Sequence, residues 1–413
     1  MKPPHVLAMV LAGGAGSRMD VLTRERPKPV LPFAGTHRLI DVPLSNLRHS
    51  RIEETLVCVQ YHGSDMERAI GSGRPWDLDR TRGGLFVLGP EQGRGEQRSG
   101  FATGNADLLR RFRHEIRRSD PDVVLVLSAD HVYSADYRDL LITHLDAGAD
   151  ATLLSYDLSK VEASHHAVLH TADGTGTTPG SRVTGFDDKP SRAATSIVAT
   201  EVFAYDTTVL LETLEELHRQ QTPEDSTDTG LGDFGDTLIP HLVEHGTVVI
   251  HPHEGYWRDA GRPDSYLRAH RDLLAGRVDV FDHPDRPLLG AITNRAGAQV
   301  RAGAQIEDSI LSPGCDVAGR VVRSVLGPGV RVEAGAEVVD SVVFEDVTIR
   351  RGAFVGTAIV DHRVEVERGA RLGVETGERL PVDEEISLVG RDSVIGAGVE
   401  VGARARLEPG TTA

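Results

Sequence analysis

The sequence predicts an α/β chain in two parts: a doubly wound, mostly parallel sheet, then a coil of short parallel strands, a β-helix. Three observations predict it. Nearly all-apolar runs of strand length recur in the first 275 residues, among them TLVCVQY (55–61), VVLVLSAD (123–130) and ATLLSYDL (151–158), and helical stretches separate them. Strands buried on both faces read this way. From about residue 291 helical periodicity vanishes and Val, Ile and Gly recur at short intervals. Between the two lies 276–290, with Pro284, Pro287 and Gly290, which reads as a linker. The expected organisation is therefore 1–275, a linker at 276–290, and 291–413.

Composition narrows the function. With 413 residues, 39% hydrophobic and 26% charged, the chain can build two cores and is ordinary for a soluble globular protein. A net charge of −17 argues against nucleic acid as a partner, because phosphate backbones need a basic face. Any nucleotide must be held by local positive charge, for which Arg18, Arg26 and Lys28 are candidates. The two cysteines, Cys58 and Cys315, are far apart and in no metal-like spacing. They imply a reducing, cytoplasmic setting with no disulfide framework. The apolar run at 6–12 is too short to span a membrane, and it leads straight into a glycine loop, so it is read as the first strand. No membrane partner is expected.

Taken in order, Val6–Val10 is that strand, and Gly13, Gly14 and Gly16 follow it. Glycines at such a position let backbone N–H groups approach an anion closely. Arg18 comes two residues later, and Lys28 stands between Pro27 and Pro29. The stretch looks like a triphosphate cradle, although its spacing is neither GxxxxGK[ST] nor GxGxxG. The run at 55–61 is a second strand ending in Gln60-Tyr61-His62, and 71–100 reads as loop. Gly104-Asn105-Ala106-Asp107 opens an amphipathic helix, LLRRFRHEIRR, with a basic face. The run at 123–130 is a central strand that ends on Asp130. Two shorter strands surround Asp187-Asp188-Lys189-Pro190, 219–232 is an exposed loop, and a helix runs from Pro263 to Leu274.

The C-terminal repeats are visible by inspection. SILSPG (309–314), SVLGPG (324–329), SVVFED (341–346) and AIVDHR (358–363) start 15, 17 and 17 residues apart. Val330, Val347 and Val364 keep the 17-residue spacing, as do Gly335, Gly352 and Gly369. Such a period fits one triangular turn of a β-helix, each turn stacking its apolar corners on the next. After a break at 374–386 the pattern resumes at 394–410.

These residues together resemble the ADP-glucose pyrophosphorylase (glucose-1-phosphate adenylyltransferase) family. The matches run in order along nearly the whole chain: the stretch 11–32; Arg38-Leu39-Ile40-Asp41 with Leu44-Ser45-Asn46; Gln60-Tyr61; Gly104 to Asp107; Asp130-His131-Val132-Tyr133; Asp188-Lys189-Pro190; Asp233-Phe234-Gly235; Tyr256-Trp257-Arg258-Asp259; and the β-helix. The resemblance implies a Rossmann-like nucleotidyltransferase domain followed by a left-handed β-helix. It implies joining of a nucleoside triphosphate to a sugar 1-phosphate with release of pyrophosphate. It places Leu11, Ala12, Gly13, Gly14, Gln92 and Gly104 against the nucleotide, and Arg18, Lys28 and Asp130 in catalysis. Asp188, Lys189, Ala199 and Glu201 fall at the acceptor. Asp130 and Asp259 are implied as ligands of Mg²⁺, and a homo-oligomer, dimer or tetramer, is implied as the assembly.

The departures from the family pattern are informative. Where the family reads roughly ASMGIYVF, this chain reads VATEVFAY, so a serine becomes Ala199 and a glycine becomes Glu201. Asp188 replaces the usual Glu, and an FGV segment becomes His166-Ala167-Val168. The paired glutamines near the base read Gln92-Gly93, and an activator lysine of some members corresponds to Glu25. Positions expected to read glucose hydroxyls have changed while phosphate and metal positions are kept. Two versions of the chemistry stay open: ADP-glucose synthesis from ATP, or a relative that uses a valienol-type cyclitol 1-phosphate, with GTP as a candidate donor. A non-catalytic regulatory subunit is predicted to lose Arg18, Lys28, Asp130 or Asp259, and all are present. A hexapeptide-repeat acyltransferase usually needs a longer array, so the short β-helix is expected to serve assembly.

Overall fold

The computed structural model describes residues 3–14, 16–90, 102–221, 230–278, 283–291, 293–377 and 379–413. Its first part is built on a nine-stranded sheet. The strands are β1 (Val6–Ala12), β2 (Glu54–Val59), β3 (Gly84–Leu88), β4 (Val123–Ser128), β5 (Ala151–Asp157), β6 (Ala167–Thr171), β7 (Val183–Asp188), β8 (Ile197–Asp206) and β9 (Val248–Pro252). β3, β2, β1 and β4 form a parallel block, with Val10 opposite both Val57 and Leu127. Alternate residues of β1 enter opposite cores: Ala8, Val10 and Ala12 on one face, Leu7, Met9 and Leu11 on the other. Burial on both faces is why these strands read as unbroken apolar runs rather than alternating ones.

β8 organises the rest of the sheet. It runs antiparallel to β5 along one edge, and β5 carries β9 in parallel. Its other edge forks: Val202–Asp206 pairs with β4, whereas Val198 pairs with Val168 of β6. At the fork Ala199 faces Ser155 and Phe203 faces Leu153, so three residues of β8 stand opposite the single residue Leu154. This is a β-bulge, which bends a strand and re-aims a side chain.

The structure corrects the reading of 71–100 as loop. Gly84–Leu88 pairs in parallel with β2 as the last strand of the sheet among the described residues. It is short and only partly covered, with Phe86 55% exposed, so its sequence carries no long apolar run. Residues 91–100 lie outside the described residues, as do 222–229 of the predicted loop at 219–232. The helix predicted at 263–274 is observed as Pro263–Leu274.

The second part is a left-handed β-helix of three parallel sheets, six strands each. Val321, Val338, Val355 and Leu372 align in one sheet and Leu326, Val343, Val360 and Val389 in another, and all point into one buried column. Each buried valine contributes roughly 1.5–3 kcal/mol. Gly335, Gly352 and Gly369 have φ of 77°, 72° and 68°, so the glycine period marks turn corners that need left-handed backbone.

The two parts share a core. Met19, Val21, Leu22, Leu31 and Phe33, from the chain after the glycine loop, pack with Val325, Val342, Phe344, Ile359 and Leu388 of the β-helix. Leu288 and Leu289, from the predicted linker, pack on the first core, and Leu289 O accepts hydrogen bonds from Trp76 Nε1 (3.1 Å) and Ser45 Oγ (3.2 Å).

Candidate active site

The parallel block ends in one cleft of about 300 Å³. Leu11, Ala12, Gly13 and Gly14 form one wall, at the carboxyl end of β1, where open α/β sheets hold ligands. Gly16 turns the chain with φ 68°, and Thr23 Oγ1 donates to its carbonyl at 2.9 Å, closing the loop from beneath. Arg18 is exposed and lines the cleft just beyond the loop. Pro27 precedes and Pro29 lies within a short helical turn, Lys28–Val30, that carries Lys28 into the cleft.

Asp130 follows the end of β4 after Ala129. The next residues, His131–Tyr133, pair antiparallel with Trp257–Asp259, and Asp259 stands opposite His131. This small two-stranded ladder brings two aspartates that are distant in sequence to the same floor. Lys28 Nζ is ion-paired to Asp130 Oδ2. Asp259 Oδ1 accepts from Gly261 N at 2.6 Å, and a Cβ on Gly261 would lie 2.6 Å from both Asp259 Oδ1 and Lys28 Nζ. Glycine at 261 therefore leaves room for the lysine beside the carboxylate.

The electrostatics of this floor are balanced from within. Burial works against the Lys28 ammonium, but Asp130 and Asp259 outweigh it and hold its pKa above the ordinary lysine value. Burial likewise opposes the charge on Asp130, yet Lys28, His131 and a 2.5 Å hydrogen bond from Ser128 Oγ keep its carboxyl far below the usual range. His131 is the unanticipated member. It is 3% exposed, and its Nδ1 is 2.9 Å from Thr200 O, so Nδ1–H donates there. Nε2 lies 3.7 Å from Asp130, 3.8 Å from Asp259 and 3.9 Å from Glu201. Burial lowers its pKa, and the three carboxylates overcome that and raise it. The sequence marked His131 only as part of a four-residue motif. Nothing in its spacing showed three carboxylates around one imidazole.

The opposite wall comes from β6, β7 and the bulge of β8. Ala167, Asp188, Lys189, Ala199 and Glu201 all line the cleft. Lys189 and Glu201 are non-glycine residues at positive φ, 42° and 56°. Such placements cost about 1–3 kcal/mol each and gather at ligand sites. Lys189 N donates to His166 O at 3.2 Å, and Lys189 Nζ lies 3.7 Å from Asp188 Oδ1.

Not every predicted residue reaches the cleft. Gly104 does not line it. A Cβ there would lie 2.1 Å from the Gly232 carbonyl carbon, so this glycine permits two backbones to meet, and its neighbour Asn105 faces the cleft. Gln92 lies outside the described residues. Arg26 corrects the reading that made it a candidate for nucleotide charge. It turns away from the cleft, and in the seam between the two parts it is ion-paired to Asp361, with its guanidinium 5.6 Å from the centre of the Phe344 ring. Among the described residues no helix is long and apolar enough to cross a membrane, and Cys58 and Cys315 are both buried and unpaired.

Comparison with known proteins agrees with this geometry. A nucleotidyl transferase family profile matches residues 7–276, and a GlmU-like C-terminal hexapeptide profile matches 295–382. A glucose-1-phosphate adenylyltransferase of Bacillus licheniformis is 35% identical over 78% of this chain and 81% of its own length. Proteins of the same name from Clostridium acetobutylicum and Halalkalibacterium halodurans are 32% and 33% identical, covering 80% and 81% of this chain and 84% of their own lengths.

Proposed function

The chain belongs to the nucleotidyl transferase family, alongside the glucose-1-phosphate adenylyltransferases, and on that premise we propose how it acts and on what. It is a sugar-1-phosphate nucleotidylyltransferase. One observation carries the assignment of roles: Arg18, Lys28, Asp130, Asp259 and Lys189 meet in a single cleft behind the glycine loop.

The reaction needs no general base, because the acceptor phosphate is already an anion. One of its oxygens bonds to the α-phosphorus of the triphosphate, the bond from that phosphorus to the bridging oxygen breaks, and pyrophosphate leaves with the electron pair. Catalysis is then positioning and neutralisation of charge. The N–H groups of Leu11 to Gly14 and the side chains of Arg18 and Lys28 hold the triphosphate. Lys189 holds the phosphate of the acceptor. Asp130 and Asp259 present carboxylate oxygens on one floor, the donor type that Mg²⁺ takes together with phosphate oxygens. Mg²⁺ held there supplies positive charge to the phosphates during transfer. Lys28 and His131 balance the same carboxylates from the protein side.

Two acceptor and donor pairs are consistent with the chain. The names of the relatives favour ATP and glucose 1-phosphate. The cleft favours another ring, since Ala167 and Ala199 offer no side-chain hydrogen bond and Glu201 adds a carboxylate. On that second reading the acceptor is a valienol-type cyclitol 1-phosphate, with GTP as a candidate donor. The β-helix serves assembly into a dimer or tetramer. Pyrophosphate release should be measured for ATP, GTP, UTP, CTP and dTTP against hexose and cyclitol 1-phosphates. Turnover of at least one pair is expected. No release from any pair, with Mg²⁺ present and the fold intact, would overturn the reaction assignment.

A further inference from the structure

Glu201 combines three features that bear on its role. It sits at the crest of the β8 bulge with φ 56°, where a glycine would be relaxed. The bulge is held on both sides: Thr200 Oγ1 donates to Leu154 O at 2.9 Å, Thr200 O accepts from His131 Nδ1 at 2.9 Å, and Val202 is fully buried. The Glu201 carboxylate itself makes no hydrogen bond among the described residues. Its nearest cationic group is His131 Nε2 at 3.9 Å, and its side chain remains 49% exposed to the cleft.

A carboxylate fixed by a strained backbone and left without a hydrogen bond is built to accept one from something else. The other acids on the floor are already engaged, Asp130 by Lys28 and Ser128, and Asp259 by Gly261. Nearby, Ala199 and Ala167 offer only methyl groups, so on this wall Glu201 and Asp188 are the carboxylates that a ring meets beyond the phosphate grip of Lys189, and of the two only Glu201 rises from the bulge beside His131. Resting on the nucleotidylyltransferase reading above, we propose that Glu201 selects the acceptor, by accepting hydrogen bonds from hydroxyl groups of the ring that carries the 1-phosphate.

One competing role is testable alongside. Asp130, His131 and Glu201 hold ligand atoms within 4.8 Å of one another, a grouping that could take a metal ion. The test uses the full-length protein and Glu201→Gly, which relieves the positive φ and so leaves folding intact, with Glu201→Gln as the conservative partner. The probes are glucose 1-phosphate, mannose 1-phosphate, galactose 1-phosphate and a valienol-type cyclitol 1-phosphate, each with the nucleotide that the parent protein uses. The expected result is a fall of at least tenfold in the ratio of kcat/KM between the best acceptor and the worst, in both variants. The KM for nucleotide and the half-saturating Mg²⁺ concentration should stay within twofold of the parent. An unchanged acceptor ratio overturns the proposal. A uniform loss for every acceptor with a raised Mg²⁺ requirement also overturns it and assigns Glu201 to the metal. If the parent protein turns over none of the pairs, the reaction assignment itself fails and this inference falls with it. That outcome is distinct from turnover with an unaltered ratio.

Discussion

Arg26 and Asp361 form an ion pair almost wholly excluded from solvent, 5% and 1% exposed, that ties the lysine-bearing loop to the β-helix. Arg26 Nε also donates to Leu22 O at 3.1 Å, and Asp361 Oδ1 accepts from His362 N at 2.6 Å. Lys28, two residues beyond Arg26, enters the cleft from the same loop. The β-helix thus sets the geometry of the cleft from behind as well as forming its own column.

Breaking this pair on one side leaves a buried charge unmatched. Arg26→Ala is expected to destabilise the protein by about 3–5 kcal/mol. It should also lower kcat with Lys28 unaltered, because the loop loses its anchor. Thermal unfolding and steady-state kinetics check both, and a variant with the parent Tm and kcat would show that the pair does not hold the loop.

The same pair has a pH signature. Burial opposes ionisation of Asp361, but hydrogen bonds from His362 and Arg26 and the Arg26 charge outweigh it and hold the carboxyl at about 2, against an ordinary 3.8. A depressed carboxyl contributes stability above its unfolded value, and that contribution is lost as pH falls through the folded value. The stability gap between the parent and Asp361→Asn should therefore be full above about pH 4 and close towards pH 2. A gap constant across that window, read from Tm against pH, would contradict the assignment.

Asp130→Asn and Asp259→Asn should each cut turnover by at least about a hundredfold, as removal of a group that positions transition-state charge does. The folded state should persist, because both residues sit at the floor of an open cleft. Near-normal turnover in either variant at saturating Mg²⁺ would remove that residue from the metal site.

Glucose 1-phosphate with ATP should be a poor pair if the altered wall reads another ring. Each lost hydrogen bond in such a site costs roughly 1–3 kcal/mol. A kcat/KM of about 10⁴ M⁻¹s⁻¹ or more for this pair, ordinary for an enzyme on its own substrate, would restore ADP-glucose synthesis.

The protein should behave as a dimer or tetramer in solution. Light scattering at micromolar concentration tests this directly, and a mass near the 44.6 kDa of one chain would exclude it.

The sequence by itself determined β1, β2 and β4 of the parallel block and the repeat of the β-helix, because both rest on short-range periodicity, whereas the short, half-covered β3 escaped it. β1 buries both faces and must be apolar throughout, and a 17-residue stack repeats its valine and glycine positions in plain view. The cleft-lining stretch at 11–32 was legible for a related reason: its glycines, arginine and proline-held lysine are close neighbours in the chain. What only the tertiary structure decided are relationships between distant segments. The pairing of Trp257–Asp259 with His131–Tyr133 sets Asp259 opposite His131, and the fork in β8 turns Glu201 toward the same imidazole. Arg26 and Lys28, two residues apart and chemically alike on the page, part ways because Asp361 of the β-helix claims one and Asp130 of the cleft claims the other. Local pattern records how a segment is buried, while the partner of a charge depends on which chain folds against it, and that information lies hundreds of residues away.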